Sequence, residues 1–566
     1  MSQYDIAVIG SGLSGIAFSR VYLEVHPQCN LVILEEDTCV GGVWSSSRGY
    51  EQFWNQSGQR MSGFSDVAFQ LPPNASTYYD TFEARYITQY LEDYIDRHVY
   101  GGLSLRDRIK FGYRVEKVER LSSGWNISTS EPSSQAKQNI RSSRLVVASG
   151  ITSIPNMPSL PDQRNFKGPI LHHKQFGCFS RSGLLNLEVK HIVVLGAGKS
   201  SADMVYQCIK KGKDVNWIIT TDGEGPGLFF PPQGGGRYRN SIEHGATRLN
   251  ACFGPSSFMA DSWLLKLFHG SRYGRDYLEK KIEATDHACR KAAAYQTRAD
   301  ARKEFERIEP TGSAFWCTAP LGLIQHDDFW DTFAQDARIF RGEITKMTQG
   351  SVVIDGTTNV LADVILCGTG WKPTYPFLSH SDIVGLGLSH NSQDDTNEDR
   401  ETWTTLLETA DQRIISTFPI FKHPPISKNA SADTTTSRLY NGIVPLTDSS
   451  IVFLGHLHSS NSFRTAEAQA IWATAYFDGS VKLPPLSKAQ EAVAYMNAFS
   501  RRRYPTKGSR GEYCFFELIW YTDRLMEEVG LKSHTRKGWW WDYWLEPCLA
   551  TDFRDSVDEY KQKYGL

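Results

Sequence analysis

The sequence is poor in several features, and each shortage closes off a class of protein. Ten cysteines are scattered through 566 residues without a C-x-x-C pair, too sparse for a disulfide framework, so a reducing, cytoplasmic setting is expected. Lys and Arg number 61 against 63 Asp and Glu, a formal net charge of −2. With no cationic excess to neutralise phosphates, a small molecule is the expected partner and nucleic acid is not. No apolar run approaches the roughly 20 residues that span a bilayer, so membrane contact, where present, is expected to be peripheral. The opening Met1-Ser2-Gln3-Tyr4-Asp5 leads directly into a strand pattern, without the regions of a secretory leader. Internal repeats and low-complexity tracts are absent, and no metal-ligand set is assigned. With 40% hydrophobic and 22% charged residues, the composition is globular and the length suits two or three domains.

What is present begins at residue 4, in "YDIAVIGSGLSGIAFSRVYLEVHPQCNLVILE". An apolar strand pattern enters Gly10, Gly12 and Gly15 in G-x-G-x-x-G spacing, a helical pattern follows, and a second strand ends on Glu35. This is a βαβ unit for a dinucleotide. Gly10 makes the turn, Gly12 lets backbone approach a pyrophosphate, Gly15 allows the helix to pack on the strand, and the helix N-terminus faces the phosphate charge. Glu35 sits where an acid accepts from ribose hydroxyls. Shortly afterwards comes a glycine pair beside a tryptophan, Gly41-Gly42-Val43-Trp44.

A second copy reads "HIVVLGAGKSSAD", a strand leading to Gly196 and Gly198, with Lys199 and Ser200 next and Ser201 in place of the third glycine. Serine there still admits close packing, though less than glycine does. The strand "DVNWIIT" closes the unit. Two such units imply two dinucleotides, or one working copy and one structural one. Between and after them, "LVVASGITSIPNMP" and "ADVILCGTGWKPTYPFL" run from strands into turns that let backbone cross between domains, and "IVFLGHLHSSNSFRTAEAQAIWATAYFDG" gives a strand, a turn at Gly455 and a helix expected to open near Thr465 or Ala466.

Taken together, these motifs and the F-x-G-x-x-x-H-x-x-x-[YF] fingerprint of Phe166, Gly168, His172 and Phe176, with Gly368-Thr369-Gly370 later, resemble the class B flavoprotein monooxygenases. More narrowly the chain resembles flavin-containing monooxygenase-like enzymes of fungal secondary metabolism, over roughly residues 4 to 480. The resemblance implies an α/β fold with two Rossmann-like domains, the NAD(P)H domain inserted in the FAD domain. It also implies reduced flavin that captures O2 as a C4a-(hydro)peroxyflavin and passes one oxygen to a small-molecule substrate. FAD is expected on Gly10, Gly12, Gly15, Glu35, Gly42 and Trp44; NADPH on Gly196, Gly198, Lys199, Ser200 and Ser201. By the same resemblance, residues 166 to 176 link the two domains and His172 couples their movement to the nicotinamide, without acting as a proton-transfer base. His173 is read as a surface residue. A fingerprint ending in Phe176 rather than tryptophan leans towards nitrogen or sulfur oxidation over Baeyer-Villiger insertion. A flavin oxidase or dehydrogenase, or a flavin-binding scaffold, stays open on the same fold.

The chain departs from the family in three places. The arginine expected after the second unit's outer strand, to grip the NADP 2′-phosphate, is replaced by Thr220 and Thr221; Lys199, Lys213 and Arg237 are candidate substitutes, and Asp222 leaves NADH open. An active-site asparagine falls at Asn55 or Gln56. Finally, residues 223 to 315 far exceed the usual connection of about 2 to 6 residues. There Trp263, Leu264, Leu267 and Phe268 are expected to form one apolar helix face, suited to a cap, a homodimer contact or a membrane-surface patch. The expected division is FAD domain over 1–165 and 351–482, NAD(P)H domain over 185–350, and a helical substrate-side extension over 483–566. The tract "KGWWWDYWLEP" in that extension suits either a planar substrate or a core.

Overall fold

A computed structural model describes residues 2–131, 137–426, 433–534 and 538–566. The first glycine motif lies between β1 (Ser2–Ile9) and α1 (Leu13–Val25), and β2 (Leu31–Glu35) completes the unit. With β3 (Ile109–Phe111), β4 (Arg114–Arg120), β5 (Trp125–Ser130) and β6 (Lys137–Val147), these strands form most of a seven-stranded sheet of order β3-β2-β1-β6-β5-β4. The long β6 has two roles. Its first half pairs antiparallel with β5, while Leu145 to Val147 pair in parallel with Ile451–Phe453. Strand Leu31–Glu35 is buried at every position, as expected where both faces of a parallel sheet are covered.

The second glycine motif organises a parallel five-stranded sheet from β7 (Ile170–His172), β8 (His191–Leu195), β9 (Asp214–Ile219), β10 (Ala337–Arg341) and β11 (Val364–Cys367), in the order β7-β11-β8-β9-β10. Helices α2 (His173–Ser182) and α3 (Lys199–Lys210) follow β7 and β8. This topology bears on two expected boundaries. Residues 170–172, within the expected linker, are an edge strand of the second sheet, and Val364–Cys367, beyond the expected end at 350, pairs with β8 of that sheet before the turn at Gly368. Only there does the chain return to the first domain.

A further expectation changes. In the insertion, the long helix α4 (Arg272–Ala293) forms, but the expected apolar face does not. A single turn at Trp263–Leu265 runs into a π-turn at Lys266–Gly270, which breaks the 3.6-residue period. Leu265 is buried, while Trp263 is 71% and Leu267 45% exposed. The insertion docks on the C-terminal segment through Arg248 Nη2 to Asp523 (2.8 Å) and Tyr238 Oη to the Leu545 carbonyl (2.8 Å). That segment packs into the core of the first unit. Val493, Tyr521, Leu525 and Val557 share one core with α1 and with α5 (Ser462–Phe477). Trp539, Trp540 and Trp541 are exposed and do not form a core.

Candidate active site

A cleft of about 560 Å³ opens where α1 leaves the first sheet, lined among others by Gly10, Gly12, Glu35, Gly42, Trp44 and Gln56. Two of the motif glycines are demanded by the protein itself. Gly10 has φ 102° and an added Cβ would lie 2.7 Å from the Ala148 carbonyl oxygen; at Gly15 it would lie 2.0 Å from the Gly10 oxygen. Gly12 differs. Its φ is −74°, open to any residue, and the nearest atom to an added Cβ is Gly42 Cα at 3.9 Å. The protein's own packing therefore does not demand glycine at 12, and Gly42 faces it across the cleft.

Glu35 is held for the same space. One carboxylate oxygen accepts from the Ser11 N–H (2.7 Å) and hydroxyl (2.8 Å), the other from the Asp37 N–H (2.9 Å). Burial raises its proton affinity and these donors oppose that. A carboxylate keeps acceptor capacity beyond three bonds, so ribose hydroxyls remain within its chemistry. Across the cleft the N-terminus of α5, starting at Ser462 rather than Thr465, brings Ser462, Thr465 and Gln469 to the lining. Gln469 is fixed by accepting from the Gly455 N–H (3.0 Å) and donating to the Tyr521 hydroxyl (2.9 Å). A backbone cradle, two helix N-termini and an anchored acid fit an adenine dinucleotide. Trp44 stacks on Phe53 at 5.5 Å.

The second turn repeats the pattern. Gly196 has φ 123° and packs on Gly368, where a Cβ would lie 2.5 Å from the carbonyl oxygen, whereas Gly198 has room, with Pro320 at 3.5 Å. Ser201 donates to that same carbonyl at 3.2 Å, so the serine in the third-glycine position ties α3 to β11. Ser200 is part-exposed in the first turn of α3. Lys199 forms an ion pair with Asp203, one turn on. Burial raises the Asp203 carboxyl and Lys199 opposes it, so the ammonium is engaged within the protein.

Residues 166 to 176 join the two units. Phe166, His172 and Phe176 are buried, and a Cβ on Gly168 would lie 2.0 Å from the Asp363 carbonyl oxygen. His172 Nδ1 accepts from the Lys174 N–H (3.1 Å), which leaves Nε2 protonated to donate to the Gly370 carbonyl (2.8 Å). Burial lowers its proton affinity, with the Gly370 bond working the other way. The ring thus pins β7 to the turn at which the chain changes domain. His173 is not the expected surface residue. It packs edge-on against Tyr50 (6.2 Å), its Nε2 is buried without a partner among the described residues, and burial pulls its pKa down to about 3.

Asn55 and Gln56 separate. Asn55 is buried, its amide donating to the Ser57 carbonyl (2.8 Å) and Ser62 hydroxyl (2.9 Å); Gln56 lines the cleft and accepts from the Leu323 N–H (2.9 Å). Of the substitute cations, Lys213 donates to the Asn186 (2.9 Å) and Val189 (2.8 Å) carbonyls and Arg237 pairs with Glu546 (3.1 Å). Arg48 was not found from sequence. It lines the cleft, donates to the Thr152 carbonyl (3.2 Å) and lies 5.8 Å over Trp371; one cation after an aromatic turn carries no periodic signal.

A family model described as pyridine nucleotide-disulphide oxidoreductase matches residues 7–226. The chain is 29% identical to the FAD-dependent monooxygenase rstn6 of Aspergillus nomiae, over 100% of this chain and 99% of that protein. It is 27% identical to an FAD-dependent monooxygenase of Pyrenophora dematioidea, over 94% and 99% respectively. The open crystal structure of cyclohexanone monooxygenase shares the fold with a TM-score of 0.60 at 15% identity, over 94% of this chain and 98% of that one. The two-dinucleotide α/β fold and the resemblance to class B flavoprotein monooxygenases are borne out, and the chain is a flavin-dependent monooxygenase with FAD and NADP as its cofactors.

Proposed function

We propose that this monooxygenase oxidises nitrogen or sulfur in a lipophilic or aromatic small molecule of fungal secondary metabolism. The observation that carries the site assignment is the paired logic of the two turns. At each, packing requires glycine, at Gly10 and Gly15 in the first and at Gly196 in the second, and leaves another, Gly12 or Gly198, free, which reserves the space for a ligand. On this reading FAD lies on Gly10, Gly12, Glu35, Gly42 and Trp44, and NADPH on Gly196, Gly198 and Ser200. The bound flavin supplies the oxygen chemistry.

The chain's own residues do the rest. The N-termini of α1 and α3 attract the two pyrophosphates, and Glu35 orients a ribose. His172 holds the edge strand of the second sheet against Gly370, so that nicotinamide binding and domain position move together. Gln56, fixed by the Leu323 N–H, keeps an amide donor at the cleft wall. Trp44, Leu457 and Phe377 make part of that wall apolar, which excludes water and favours a lipophilic substrate.

The heteroatom preference rests on Phe176, buried against Tyr50 at 4.8 Å, in the position where ketone-inserting relatives carry tryptophan. The test is single-enzyme competition between an aryl thioether, a tertiary arylamine and a cyclic ketone under labelled O2. Label in the S-oxide or N-oxide supports the reading; label only in a lactone or ester replaces it with Baeyer-Villiger oxidation.

A further inference from the structure

At the outer edge of the second sheet, where Thr220 and Thr221 stand in place of an arginine, the fold brings in a cation from a distant part of the chain. β9 ends at Ile219 and its neighbour is β10, in parallel register with Ile219 opposite Arg341. Gly342 N–H donates to the Ile219 carbonyl at 3.2 Å, so Arg341 and Thr220 flank the same carboxyl-terminal edge. Neighbouring strands are about 4.8 Å apart.

Side chains alternate along a strand, so Arg341 shares a face with Ala337 and Ile339. Those two lie in the core with Trp217, Ile219 and Ala202 of α3. Arg341 therefore stands on the α3 side, the side of the helix that begins after Gly198. It is part-buried, and among the described residues its guanidinium has no hydrogen bond or ion pair. Burial lowers its pKa with no charged neighbour to offset this. The nearby acid, Glu343, is engaged by the Thr221 N–H at 2.9 Å. A part-buried cation without an anion is unfavourable, and a guanidinium fork matches a phosphate in two-point geometry. Of the cations that could compete, Lys199 is paired with Asp203, Arg237 with Glu546 and Arg338 with Asp214 at 3.2 Å, while Lys213 donates to the Asn186 and Val189 carbonyls and Arg307 to the Ile339 carbonyl at 2.8 Å.

We propose that Arg341 receives the 2′-phosphate of NADPH, with Thr220 beside it, and thereby sets the preference for NADPH over NADH. This rests on the reading of the second unit as the nicotinamide dinucleotide site. The flavin-loaded full chain is titrated calorimetrically with adenosine 2′,5′-bisphosphate and with 5′-AMP, which differ in the 2′-phosphate alone. Wild type is expected to bind the bisphosphate at least about tenfold more tightly, the scale of one charge-assisted contact. Arg341→Ala should lose that preference while 5′-AMP affinity stays within about twofold; Arg341→Lys should keep part of it, and Arg338→Ala all of it. Arg341→Gln, which preserves the stem, replaces the alanine variant if that one does not fold. Wild-type preference persisting in Arg341→Ala or Arg341→Gln overturns the assignment of Arg341 while leaving the site reading intact. A wild type that binds neither nucleotide overturns the site reading, and the proposal with it.

Discussion

Gly12 and Gly15 stand three residues apart in one motif, yet the structure gives them opposite reasons for being glycine, and substituting each by alanine separates ligand from fold. At Gly15 an added Cβ would lie 2.0 Å from the Gly10 oxygen and 3.4 Å from Val8 Cγ1. Since α1 must shift to relieve this, the apoprotein should lose about 1 to 3 kcal/mol, as for other overpacked sites. At Gly12 the same atom meets nothing closer than 3.9 Å, and φ is −74°. Less unfolded-state entropy stabilises Gly12→Ala by about 0.4 to 1 kcal/mol, and the poorer helix cap removes a similar amount, so apoprotein stability should hold within about 1 kcal/mol. On the proposed reading FAD should nonetheless bind far less well, because the methyl would stand where the pyrophosphate meets backbone N–H groups. One lost charge-assisted bond at about 1.5 to 3 kcal/mol corresponds to roughly ten- to a hundredfold in Kd. With FAD at 100 times the wild-type Kd, ligand binding stabilises wild type by about 2.7 kcal/mol, and a variant bound a hundredfold more weakly by only about 0.4. Apoprotein is prepared for each variant, and chemical denaturation is run with and without FAD alongside fluorescence titration of the flavin. A Gly12→Val protein that purifies yellow at full occupancy, or a Gly12→Ala apoprotein as unstable as Gly15→Ala, would refute the assignment.

Three further outcomes are expected. His172→Ala should retain FAD, since the ring contacts Gly370, Lys174 and Trp371, but should slow anaerobic flavin reduction by NADPH and raise peroxide released per NADPH; unchanged values in both assays would make the fingerprint purely structural. His173 is neutral when folded, with a pKa of about 3, and takes a proton near pH 6.5 when unfolded. It therefore costs stability as pH falls from about 6.5 towards 3, roughly 2 kcal/mol by pH 5, and His173→Phe should lose that much less than wild type between pH 7 and 5 by denaturant titration. Lys199→Met should destabilise the chain by leaving part-buried Asp203 without its cation; Asp203→Leu in the same background should restore stability, and failure to restore it would show that the pair is not what Lys199 contributes.

Both βαβ units were legible because strand, turn, helix and strand are local, and the spacing of Gly10, Gly12 and Gly15 reports constraints met within a few residues. The fingerprint at 166 to 176 was likewise visible, although its meaning as an edge strand pinned to Gly370 depends on a pairing with Val364–Cys367 almost 200 positions away. The face expected of Trp263 and Leu267 failed because a π-turn interrupts the helical period, an event with no signature in apolar spacing. Residue identity could not divide Asn55 from Gln56; the turn that buries one amide at Ser62 and leaves the other at the cleft is set by contacts across the chain. Local sequence by itself determined the two dinucleotide units and their order, because each is stabilised by neighbours in the chain. Tertiary structure alone decided where the second domain ends, which cations are already paired, and that Arg341 stands beside Thr220, because parallel strands bring together residues that no short-range pattern relates.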